Sequence, residues 1–154
     1  MKRVKLTHII QYSAYAVYNT LGAGYSEVVY GNAIHIELSK RCDHRHVICR
    51  ETTIPFMYDG IPVGYGRMDF SIFNKPDKTV DIVELKAVKN LDLVAAESQL
   101  SNYYTHFSKL NTEYTHVRCC LINFSPKDGV YIKNYAIGQD GQLQELSVGT
   151  FVDD

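Results

Sequence analysis

An α/β fold is predicted: a mixed central β-sheet with helices packed on its faces. Three observations predict it. Two helical stretches open the chain, three strand-like stretches follow, and a third helical stretch separates these from further strands. The strand ending at Lys86, the helix over 90–110 and the strand over 117–124 form a strand–helix–strand crossover, which places its two strands parallel in one sheet. The 154 residues are 45% hydrophobic and 21% charged, a composition that fills one core of common size. The expectation is a single domain over 1–154, with a core over about 7–135 and a short C-terminal extension over 136–154.

Each element has its own signal. Over 7–20, Ile10, Ala14, Val17 and Leu21 recur at helical spacing, with Thr7 as the expected N-cap. Leu21-Gly22-Ala23-Gly24 ends that helix, because glycine accepts the left-handed turn past a helix end. A second helix is predicted over about 25–41. Val29, Ala33, Ile36 and Lys40 fall near one line and Tyr30, Ile34 and Leu38 near another, so a broad apolar face is expected. Residues 47–58 read as a strand that Pro55 assigns to an edge or a bulge. Asp59-Gly60 is a hairpin turn signal. The next strand runs from Ile61 through the glycine-marked 63–66 into Asp69 and Phe73. Glycine within a strand marks a bulge or a close approach. Asn74-Lys75-Pro76-Asp77-Lys78 is turn chemistry and leads into Val80–Lys86. The third helix, over 90–110, sets Leu93, Ala96, Leu100, Tyr104 and Phe107 at core spacing. Val117–Phe124 reads as a buried strand and Gly129–Tyr135 as another, with a short hairpin or tail after it.

The chemistry is concentrated on the two strands of the Met68–Lys86 hairpin. Side chains alternate across a strand, so Met68, Phe70 and Ile72 are expected on one face and Arg67, Asp69 and Ser71 on the other. Glu84 and Lys86 share a face, with Leu85 opposite. The hairpin brings Asp69 near Glu84 and Lys86. Two carboxylates crowded together repel, and a divalent cation with oxygen ligands resolves that repulsion. Glu27, in the first turn of the second helix, reads either as a carboxylate placed by the helix macrodipole or as a further acid at the site. Tyr30, three residues on, either holds that carboxylate or is a core aromatic. Gln99 and Tyr103 share the margin of the third helix. Glu97 is expected on a different, solvent-exposed face.

Asp69 followed by Glu84-Leu85-Lys86 resembles the active site of the PD-(D/E)XK nuclease superfamily. Gly24-Tyr25-Ser26-Glu27-Val28-Val29-Tyr30 matches the signature of its GxxExxY family. Gln99-Leu100-Ser101-Asn102-Tyr103 resembles the Gln-x-x-x-Tyr element of several of these nucleases, and Leu121-Ile122-Asn123-Phe124 the strand that closes the GxxExxY domain. The elements fall in the family's order over roughly 7–135. The resemblance implies a PD-(D/E)XK nuclease-like fold and metal-dependent phosphodiester hydrolysis, with DNA as the first substrate class. It implies Mg²⁺ or Mn²⁺ held by Asp69, Glu84, the Leu85 carbonyl and Glu27, with Lys86, Gln99 and Tyr103 completing the catalytic set. The alternatives from other classes are a catalytically silent module of nuclease fold that binds nucleic acid or a protein partner, and a structural subunit whose twelve tyrosines suit interfaces.

The remaining features exclude rather than assign. A net charge of −1 and a pI near 6.6 argue against a protein that coats long stretches of nucleic acid. No run of 18 apolar residues occurs, so no membrane partner is expected. The basic Met1–Lys5 is not followed by a long apolar stretch, and Cys42, Cys49, Cys119 and Cys120 fit no disulfide framework. An intracellular location, cytoplasmic or nuclear, is the expectation. Cys42, His44, His46 and Cys49 lack zinc-site spacing and read as a polar loop entering a strand. Cys119 and Cys120 read as core thiols, and His106 and His116 as structural. A homodimer that grips a duplex is left open.

Overall fold

The computed structural model describes residues 5–146. The elements are α1 (Leu6–Leu21), α2 (Glu27–Arg41), β1 (His46–Tyr58), β2 (Ile61–Asn74), β3 (Thr79–Lys86), α3 (Leu93–Leu110), β4 (His116–Ser125), β5 (Gly129–Ile137) and β6 (Leu143–Glu145). The six strands stand in sequence order in one sheet. β3 and β4 are parallel, joined by the α3 crossover, and every other neighbouring pair is antiparallel. This is the predicted mixed sheet between helices.

The core has two layers, one on each face of the sheet. Leu6, Ile9, Ile10, Ala14 and Val17 of α1 and Tyr30, Ile34 and Leu38 of α2 pack on Phe70, Ile72, Val83, Leu85 and Ile122. On the other face, Ala96, Leu100, Tyr103 and Phe107 of α3 pack on Met68, Val80, Ile82 and Leu121. The central strands β3 and β4 are buried along nearly their whole length, as strands covered on both sides must be. Cys119 and Cys120 fall in opposite layers, and burial pushes both thiols far above the ordinary value. No helix among the described residues is long and apolar enough to cross a membrane.

Several local expectations are corrected. Thr7 does not cap α1: the N-cap position is Lys5, without a side-chain cap, and Thr7 is buried inside the first turn. Leu6 starts the helix earlier because its side chain belongs to the core. The apolar face of α2 is narrower than expected: of the first line only Ala33 packs against the core. Tyr30, Gly31, Ile34 and Leu38 are buried, whereas Val29 and Ile36 are exposed. Ser26 supplies the α2 cap, its Oγ accepting from the Val29 N–H at 3.5 Å.

Met68 does not share a face with Phe70 and Ile72. It packs under α3, while they pack under α1 and α2. Alternation is interrupted at Asp69. Arg50 pairs with Phe70 and Thr52 with Met68, and the residue between them on β1, Glu51, has a positive φ of 52°. This local twist changes the side of β2 that faces each core layer. The β1–β2 turn is Asp59-Gly60 with φ of 50° and 72°, the conformation an Asp-Gly hairpin favours.

Candidate active site

Asp69, Glu84, Lys86, Gln99 and Tyr103 come together on the α3 side of the sheet. They line one cleft of about 1000 Å³. β3 supplies Glu84 and Lys86 through its two-residue period, on the same side as Val80 and Ile82. β2 supplies Asp69 at the point where its alternation is interrupted. Asp69 Oδ2 accepts from the backbone N–H of Leu85 at 2.7 Å, which pins the carboxylate beside Glu84. Leu85 thus meets Asp69 through its N–H, while its side chain is buried under α1 and α2.

Glu84 is the strained group. It is 4% exposed, and its Oε2 is buried with no hydrogen-bond partner. Burial pushes its carboxyl up to about 8, the Asp69 charge adds to the push, and Lys86 opposes it. Lys86 Nζ stands 3.5 Å from Glu84 Oε1.

A directed hydrogen-bond chain holds the lysine. Tyr103 Oη donates to the Arg67 carbonyl at 3.0 Å, which leaves its lone pairs to accept from Gln99 Nε2 at 2.9 Å. The Gln99 amide oxygen is therefore turned toward Lys86, whose Nζ donates to it at 3.1 Å. Burial raises the Tyr103 hydroxyl pKa, with the nearby Glu84 as the next cause. Tyr103 is a core residue rather than a marginal one: its ring is buried and only the hydroxyl reaches the cleft. Gly66 makes room for it, since a Cβ there would lie 2.5 Å from Phe56 and 2.6 Å from Tyr103. The strand glycine marks a close approach of side chains.

Glu27, at the start of α2, reaches the same cleft from the other helix layer. It is exposed and lines the cleft, but among the described residues no three His, Cys, Asp or Glu side chains gather as a metal-holding cluster. Tyr30 does not hold it. The Tyr30 hydroxyl donates to the Gly22 carbonyl at 2.7 Å, and its ring stacks on Phe124. Cys42, His44, His46 and Cys49 likewise form no such cluster, and all four cysteines are free. Glu97, expected in solvent, accepts from Tyr135 Oη at 2.6 Å and pairs with Lys133 at 3.3 Å, tying α3 to β5.

Three contributors escaped sequence reasoning. Arg67 serves through its carbonyl, for which no side-chain pattern exists. Asp92 caps α3 at the cleft wall, accepting from the Ala95 N–H at 3.0 Å. Asn123 is buried in β4 beside Lys86, and its amide bonds both the N–H and the C=O of Val88 at 3.0 Å. Its signal was legible: a lone amide inside Leu121-Ile122-Asn123-Phe124 must find partners when buried.

The donor set is two adjacent carboxylates, one with an unsatisfied buried oxygen, against a single lysine. That chemistry suits a hard divalent cation that takes oxygen ligands and keeps several waters. A mixed sheet between helix layers, with paired acids and a lysine over a cleft, defines an α/β protein with a charged cleft at the fork of β2 and β3. The family model of the PD-(D/E)XK nuclease superfamily matches residues 4–134, and the chain belongs to that superfamily. Its nucleases generally use divalent metal ions. No curated protein and no solved structure gives a match.

Proposed function

We propose that this protein is a divalent-metal-dependent nuclease of the GxxExxY type that hydrolyses phosphodiester bonds in DNA. One observation carries the reading: Glu84, buried beside Asp69, has an oxygen without a partner and a carboxyl pushed up to about 8. Such a group is costly to keep unless something positive binds to it. Asp69 and Glu84 would hold Mg²⁺ or Mn²⁺, with the Leu85 carbonyl and, through water, Glu27 as further ligands. The bound ion would supply charge neutralisation at the phosphate and a water of lowered pKa.

The chain's own residues do the rest. Lys86 has three N–H donors. Gln99 takes one and Glu84 stands near a second, leaving a donor for the attacking water or a phosphoryl oxygen. Tyr103, anchored on the Arg67 carbonyl, fixes the Gln99 amide and so the direction of the lysine. The test is cleavage of single- and double-stranded DNA and of RNA with Mg²⁺ or Mn²⁺, comparing wild type with Asp69→Ala and Lys86→Ala. Loss of cleavage in both variants is expected. Activity that survives both, or wild type inert on every substrate, refutes the proposal.

A second reading has its own observation. Lys86 Nζ lies 3.5 Å from Glu84 Oε1, close enough to balance that carboxyl without a metal, as a catalytically silent nuclease fold that binds nucleic acid or protein would arrange it. Titration calorimetry separates the two: Mn²⁺ binding that Glu84→Gln abolishes supports the enzyme, and no binding supports the silent module.

A further inference from the structure

The β1–β2 hairpin extends past the sheet. β3 pairs with β2 only over Phe70–Asn74, so residues 61–69 of β2 are paired with β1 alone. The two faces of this arm differ. One is pinned to α3: Phe56 packs against Tyr103 and His106, and the Met57 N–H donates to His106 Nδ1 at 3.1 Å. The other carries Tyr65 and Arg67 as a stripe, two apart on β2, and beyond them the pairing shift between Phe56 and Met57 breaks the alternation, with Tyr58 paired to Ile61 at the tip of the arm. Its large side chains are far out of the fold: Tyr58 is 70% exposed, Ile61 63%, Val63 67% and Tyr65 68%. Tyr65 and Arg67 also line the cleft, so the stripe runs into the candidate active site.

Three observations identify its occupant. First, the only charge on the stripe is Arg67, at its cleft end, and among the described residues no carboxylate pairs with that guanidinium. The charge favours an anionic partner. Second, β1 is the edge strand but is a poor template for strand addition. Pro55 lacks an N–H, Glu51 has a positive φ, and the pairing shifts between Phe56 and Met57. Contact must therefore come through side chains on the face. Third, exposed tyrosine rings offer π-faces on which any base can stack, while neighbouring cations take phosphates.

We propose that the stripe Tyr65–Arg67, with Tyr58 at the tip of the arm, guides an unpaired nucleic-acid strand into the cleft, the tyrosines stacking on bases and Arg67 taking a phosphate. The inference rests on the nuclease reading and adds to it a preference for substrates with single-stranded character.

Fluorescence anisotropy of a labelled 20-mer deoxyoligonucleotide in EDTA tests it. Tyr65→Leu is expected to weaken binding about five- to tenfold, with Tyr65→Phe close to wild type. Abasic sites along the oligonucleotide are expected to weaken wild type similarly and to erase the Tyr65→Leu effect. Arg67→Gln is expected to flatten the salt dependence by about one phosphate contact. Wild-type binding to the same sequence as a duplex is expected to be weaker. Unchanged binding by both Tyr65→Leu and Tyr58→Leu overturns the proposal. So does a wild-type dimer in sedimentation that Tyr58→Ser with Ile61→Ser dissociates, since the arm then meets a second copy. If wild type cleaves DNA and Tyr65→Leu binds as tightly, the arm proposal falls alone; if wild type binds neither nucleic acid nor Mn²⁺, both readings fall.

Discussion

Glu84 makes the stability of the metal-free protein depend on pH in an unusual direction. Its carboxyl is pushed from an ordinary 4.5 up to about 8. Between these values the folded protein holds a proton that the unfolded chain has released. The folded state binds more protons, so stability must fall as pH rises through this window. At 1.36 kcal/mol per pH unit, the interval corresponds to a loss of about 5 kcal/mol between pH 4.5 and 8. That is a large share of the stability of an ordinary domain. The assay is urea unfolding in EDTA at steps from pH 5 to 8.5, on wild type and Glu84→Gln. The amide stays neutral, and the other titrating groups are common to both proteins, so their difference isolates Glu84. Wild type should weaken relative to Glu84→Gln as pH rises, with the gap opening by about 2 kcal/mol or more. Added Mn²⁺ should close the gap at pH 8 by binding the ionised carboxylate. Parallel pH profiles for the two proteins in EDTA would refute the reasoning, because the proton would then sit elsewhere.

Two further outcomes follow from packing. Gly66→Ala places a methyl 2.5 Å from Phe56 and 2.6 Å from Tyr103, so an overpacking cost of about 1–3 kcal/mol is expected in thermal unfolding. Phe56→Leu in the same chain should recover part of it. Asn123→Ala removes both bonds to Val88, and about 1–3 kcal/mol of destabilisation is expected. Hydrogen exchange should accelerate at the Val88 amide well before the amides of β4; protection unchanged at Val88 would contradict the clamp.

What the sequence disclosed was decided by local periodicity. Glu84 and Lys86 are two apart on a regular strand, and Gln99 and Tyr103 four apart on a regular helix, so their faces follow from spacing alone. The same rule misplaced Met68, because a twist opposite Glu51 belongs to the β1–β2 pairing and is invisible in either strand separately. It also overdrew the apolar face of α2: Val29 and Ile36 have core chemistry but are exposed, and the buried line is Tyr30, Ile34 and Leu38 with Ala33 at its margin. Tyr30 was legible as an aromatic near Glu27 but not as the partner of the Gly22 carbonyl, since that bond depends on how the α1–α2 connection turns. The engagement of Glu97 by Tyr135 joins residues 38 apart, and no spacing rule reaches that far.

The change of side at Asp69 also guards the pairing of β2 with its neighbours. A one-residue slip of the strand would carry this carboxylate beneath α1 and α2, among Phe70, Val83 and Ile122, and would turn Phe70 into the cleft. An ionised group stranded in that apolar layer is far too costly to populate. The acid placed for the cleft thus serves as a proofreading device for the sheet, rejecting the mispaired alternative before any reaction is at stake.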